Sequence, residues 1–119
     1  MKKGANEIRE AFIEICLEIG AGSQKYSVPR FNRAVDKLGA FIRDELADDG
    51  ISEPSIIQPL LEHENEYVRQ RAAVYCYSKN FERERCMNIL DDILNTTKDK
   101  WMIGHVLHFK HFTDMYLHT

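Results

Sequence analysis

The chain has 119 residues, 44% hydrophobic and 29% charged, which suits one soluble domain with one core and excludes a disordered chain. Its net charge of −3 is spread evenly: residues 1–50 carry eight Lys/Arg against nine Asp/Glu, and residues 51–119 carry eight against ten. Nucleic acid is therefore not the expected partner, because phosphate binding asks for a basic face.

The acids Glu7, Glu10, Glu14 and Glu18 interrupt any apolar run behind Met1-Lys2-Lys3, so neither an export signal nor a membrane span is expected. The three cysteines, Cys16, Cys76 and Cys86, form no CxxC and cannot all pair within one chain. A reduced, cytoplasmic protein fits that usage.

In chain order, Ile8, Phe12, Ile15, Cys16 and Ile19 lie on one helical face, with Asn6 as the expected cap and Gly20-Ala21-Gly22 as the expected stop. Ser27 and Pro29 open a second helix, in which Phe31, Ala34, Val35, Leu38, Phe41, Ile42 and Leu46 keep helical spacing to about Ala47. Asp48-Asp49-Gly50 closes it. A third helix starts around Ser52 and Pro54 and turns Ile56, Ile57, Leu60 and Leu61 inward as far as Glu64. Pro59 falls inside it and demands a kink or a late start.

Asn65 caps a fourth helix, Glu66 to about Lys79, with Val68, Ala72, Tyr75 and Cys76 inward. Asn80 is expected to cap a fifth, through Cys86, Ile89, Leu90, Ile93 and Leu94, broken at Asn95-Thr96-Thr97. A sixth runs from about Asp99 to Tyr116 along Trp101, Met102, His105, Val106, Phe109, Phe112 and Met115. No stretch alternates with period two, so the fold class is all-α.

A shift of thirty-three positions lays Ile57 on Leu90, Leu60 on Ile93, Leu61 on Leu94, Val68 on Trp101 and Cys76 on Phe109. The pattern implies three antiparallel helix pairs that stack to bury a shared core. Leu60-Leu61, an acidic turn with Asn65, then Val68-Arg69 and Ala72-Ala73 resemble the centre of a HEAT repeat. They are also similar to a family of small bacterial HEAT-like domains, some of them associated with toxin immunity.

The resemblance implies a single domain over residues 1–119, with about six helices in three stacked hairpins forming a HEAT/armadillo-like right-handed α-α superhelix. An unrelated six-helix bundle is the alternative. The resemblance further implies that Arg69 acts as a strut to an acidic partner such as Glu62 or Glu66. The tetratricopeptide and ankyrin signatures are missing.

Chemistry is sparse. His105 and His108 share a helical face and could hold a metal with a third ligand from elsewhere, but half-buried histidines replacing aromatics explain them as well. All three cysteines sit on apolar stripes and read as core. No cofactor is implied.

Two acidic groups, Asp44 with Asp48 and Asp49, and Glu62 with Glu64 and Glu66, would form a negative patch if their turns shared an edge. Tyr67, Arg71 and Tyr77 are expected to face outward from the fourth helix, with Lys110 and His111 at matching places on the sixth. These eleven residues are the expected partner-binding set. The expected function is non-enzymatic protein binding, most specifically that of a bacterial immunity protein neutralising a basic toxin such as a nuclease. The alternatives are a regulatory or scaffold protein with another partner, and a histidine-based metal protein. Oligomeric state is left open.

Overall fold

Helix-forming stripes separated by short polar turns leave the chain few ways to bury its apolar surface, and the computed structural model shows the one it takes. It describes residues 4–25, 27–46 and 53–117, with side chains at all of these except 45, 53 and 114–117. Six helices and no strand occur among the described residues: α1 (Ala5–Gln24), α2 (Val28–Phe41), α3 (Glu53–Ile57), α4 (Glu66–Ser78), α5 (Arg83–Thr96) and α6 (Lys100–Leu117). The all-α class is as expected. Asp48-Asp49-Gly50, the expected end of the second helix, lies outside the described residues.

The helix pairs are antiparallel. Phe12 meets Phe41 with ring centroids 6.5 Å apart, and Glu18 meets Lys37 at 3.4 Å, so α2 runs back along α1. Cys76 near the end of α4 reaches the carbonyl of Pro54 at the start of α3. The first helices of the pairs lie side by side: Arg9 Nη1 donates to the Ile56 carbonyl at 3.3 Å, Gln58 donates to Glu82 at 2.9 Å, and Arg85 pairs with Glu62 at 3.0 Å. The core contains every stripe read from the sequence in α1 and α3, from Ile8 to Ile19 and from Ile56 to Leu61.

Several boundaries differ from expectation, each for a packing reason. The Gly20-Ala21-Gly22 stretch stays helical, because these glycines permit close approach and do not stop the helix. A Cβ on Gly20 would lie 2.5 Å from the Tyr67 ring, and one on Gly22 would lie 2.8 Å from the Phe31 backbone nitrogen. Gly4, not Asn6, sits at the N-cap of α1. After Phe41 the helix widens into a π turn, Ile42–Leu46, which leaves Leu46 buried.

Pro59 is accommodated by a change of helix type. α3 passes into a tighter 3-10 segment, Gln58–Glu62, with the proline in its first turn, where a missing N–H costs little. Asn65 does cap α4, accepting from the Tyr67 and Val68 amides at 2.9 and 3.3 Å. Asn80, expected to start α5, instead ends α4. Its φ of 59° is left-handed, and the Phe81 amide bonds back to the Cys76 carbonyl while the Asn80 amide bonds to Tyr77. That is a Schellman arrangement.

α4 is the hub. It packs on α1, α3, α5 and α6, and Ala72 and Ala73 are both fully buried, where small side chains let the neighbouring helices come close. α6 crosses back to the first pair. Phe31 at the start of α2 stands edge-on to Trp101 at 4.8 Å and stacks on His105 at 5.1 Å. The radius of gyration is 13.9 Å, close to the value of about 13.5 Å for a compact chain of this length.

Candidate interaction surface

Of the aromatic anchors expected on the outer side of α4, neither is exposed. Tyr67 is 5% and Tyr77 is 4% accessible, a correction that follows from the central place of α4. Tyr67 lies against Gly20, and its hydroxyl donates to Asp99. Tyr77 stands edge-on to Phe109 at 5.5 Å and carries the Arg83 guanidinium over its ring, 4.8 Å from the centroid. Arg71 is half-buried and lines a recess between α4 and α6. On α6, Lys110 is ion-paired with Asp91 and His111 is exposed.

Arg69 is a strut, but not to an acid. Its Nη1 donates to the carbonyls of His63 and Glu64, both at 2.8 Å, and so closes the turn in front of its own helix. Those carbonyls belong to a turn too tight to satisfy them internally.

The two acidic groups are not brought together. Glu62, Glu64 and Glu66 sit in the turn before α4, at the end of the bundle where Tyr67 touches Gly20. Asp44 follows Phe41, which is already level with Phe12, so it lies at the opposite end with the start of α1. Roughly 20 Å of helix separates these ends. Helical hairpins alternate their turns between two edges, and these two turns are consecutive. Asp48 and Asp49 lie outside the described residues. Glu62 is held by Arg85, and Glu66 accepts from the Thr97 hydroxyl at 2.9 Å, leaving Glu64 the one exposed acid of its group without a side-chain partner among the described residues.

A polar knot holds the end of the bundle near Glu66. Asp99 caps α6 through the Trp101 amide at 2.9 Å and also accepts from Ser23 at 2.6 Å and from Tyr67, so one carboxylate joins α1, α4 and α6. Burial pushes this carboxyl up, but the bonds donated by Ser23, Tyr67 and the Trp101 and Met102 amides outweigh it and hold it below the usual carboxylate range. The Tyr67 phenol is pushed well up by burial and by its bond to Asp99. A cleft of about 230 Å³ opens beside the knot. Fixed in three directions, Asp99 is a structural clasp.

The surface that sequence reading passed over is on α1. Glu7, Glu10, Glu14 and Glu18 are all exposed, at spacings of three, four and four, and so form one stripe along the helix. Glu18 pairs with Lys37; the other three have no ionic partner among the described residues. The spacing is present in the sequence, where the same four acids also interrupt any apolar run.

The cysteines are buried, and the Cys76 and Cys86 thiols donate to the carbonyls of Pro54 at 4.0 Å and Phe81 at 3.6 Å. Among the described residues no three His, Cys, Asp or Glu side chains gather as a metal site would require, and no helix is long and apolar enough to cross a membrane. Compared with protein-family models, curated proteins and solved structures, the chain has no match.

Proposed function

We propose that the chain is a non-enzymatic protein-binding module that docks a basic partner along the outer side of α1. The observation that carries this is the stripe Glu7, Glu10, Glu14, three exposed carboxylates one turn apart and unpaired among the described residues, on a helix whose other side is locked into the core. A fixed row of like charge steers an oppositely charged protein and raises its association rate more than its final affinity. The rigid mounting matters, because little ordering entropy is then lost on binding.

In its specific form the partner is a basic bacterial toxin domain such as a nuclease, and the chain is the immunity protein that covers it in the cytoplasm. That form is supported by the resemblance of Leu60 to Ala73 to small bacterial HEAT-like domains. Three buried, unpaired cysteines suit a reducing compartment. The acidic turns no longer support it as a joint patch.

Inhibition of purified basic nuclease toxin domains, measured by stopped-flow association and by residual nuclease activity, tests both levels. One toxin domain is expected to be inhibited stoichiometrically, and E7K/E10K/E14K should slow association at least about tenfold at low salt while leaving the helical circular dichroism unchanged. Inhibition that survives the reversal removes α1 as the docking side. Failure to inhibit any member, together with capture of a different protein through α1, favours the scaffold reading.

A further inference from the structure

On the layer away from the acidic stripe, α4 and α6 enclose a recess of about 190 Å³. α4 contributes Gln70, Arg71 and Val74, and α6 contributes His105, His108, Phe109 and Phe112, which stand at i, i+3, i+4 and i+7 and so share one side of their helix. Val74, Phe109 and Phe112 give the recess its apolar wall, and Gln70, His105, His108 and the Arg71 guanidinium give it a polar one.

Among the described residues Arg71 has no counter-ion. Its Nε is buried with no hydrogen-bond acceptor, and no carboxylate of the described residues reaches it. The thiol of Cys16 also interacts with it, but burial pushes that thiol up to about 12, so it stays neutral and cannot compensate. Asp99, the acid that acts on the neighbouring His105, is already engaged by Ser23 and Tyr67. A buried unsatisfied donor is costly, more so when charged, and native proteins seldom leave one without a use.

The recess also sets the ligand's charge. His105 is pushed down, first by burial and then by Arg71, which favours its uncharged imidazole form. One permanent positive charge beside a neutral ring suits a monoanion better than a dianion. The guanidinium fork matches the two oxygens of a carboxylate, while the aromatic walls suit a hydrocarbon body.

We propose that the recess binds a small monocarboxylate, with its carboxylate on Arg71 and its apolar body between Val74, Phe109 and Phe112. The site is separate from the acidic stripe on α1 and stands whether or not a basic partner docks there.

The test uses the full chain with phenylacetate as probe, phenylacetamide as its uncharged match and inorganic phosphate as a different anion. Phenylacetate should shift the Arg71 Nε–H resonance saturably and bind at least about tenfold more tightly than either control. R71M, which keeps the hydrocarbon and removes the charge, should abolish binding without lowering the melting temperature. Equal binding of the amide would reduce the recess to an apolar hole, and equal binding of phosphate would overturn the monocarboxylate assignment. Unchanged affinity in R71M, or an unmoved Arg71 resonance, would sink the proposal. The resonance is read on the native protein, so the outcome does not depend on the variant folding.

Discussion

Asp99 joins three helices through one side chain, so its protonation state is tied to stability. The folded chain holds this carboxyl below its ordinary value while the unfolded chain leaves it near about 3.9. Protons therefore bind the unfolded state more tightly. The contribution is complete above pH 4 or so, shrinks as pH falls below the unfolded value, and is gone once the pH is below the folded one. Thermal melts between pH 7 and pH 2 should show this loss, and D99N should flatten that part of the curve. A second outcome at this scale concerns Gly22. Alanine is the better helix former by about 1 kcal/mol, yet the added Cβ would meet the Phe31 backbone at 2.8 Å, and backbone cannot swing aside. G22A should thus destabilise the protein by about 1–3 kcal/mol in urea titration. Neither role was legible in the sequence. Gly22 read as a stop because its contact with Phe31 forms only when the next helix folds back across the turn, and Asp99 as an ordinary first residue because its partner Ser23 is 76 positions away.

The elements themselves were largely legible, since apolar spacing specifies where a helix can hide one side. Ile8, Phe12, Ile15, Cys16 and Ile19 are buried as that spacing demands, and Asn65 caps α4 as its type and position suggest. Boundaries were less so. Asn is equally suited to starting a helix and to ending one in the left-handed conformation, and only the bond from the Phe81 amide to the Cys76 carbonyl decides which role Asn80 has. With φ at 59°, Asn80→Gly should be neutral or slightly stabilising, whereas Asn80→Ala should cost about 1 kcal/mol in equilibrium unfolding. Asn80→Ser separates this role from a start-of-helix one, because serine keeps an N-cap acceptor but not the tolerance of a left-handed backbone, and so should cost nearly as much as alanine. In α4 the misreading of Tyr67 and Tyr77 had a visible signal. With Tyr67, Val74 and Tyr77 opposite Val68, Ala72 and Tyr75, the helix is apolar around most of its circumference, which marks a surrounded helix.

For the whole molecule, α6 decides the shape by returning to α2 through Phe31, Trp101 and His105. Trp101 is the one tryptophan, so its fluorescence reports this closure without interference. Phe31→Ala should shift its emission to longer wavelength and cost about 3–5 kcal/mol; unchanged emission would mean the two pairs do not depend on that contact. The closure also explains why the surface expected between the second helices is not an open groove and why Arg71 ends in a recess.

By itself the sequence determined six helices, the side each turns inward and the position of most turns, because side-chain periodicity and capping chemistry are local properties. It did not determine how many neighbours surround α4, which turns share an edge, or which charges lack a partner. Those depend on how the helix pairs are stacked. A stripe of apolar residues requires only that something cover it, and any of several neighbours would satisfy it equally. The separation of Asp44 from Glu62 and the isolation of Arg71 exist only once the stacking has been chosen.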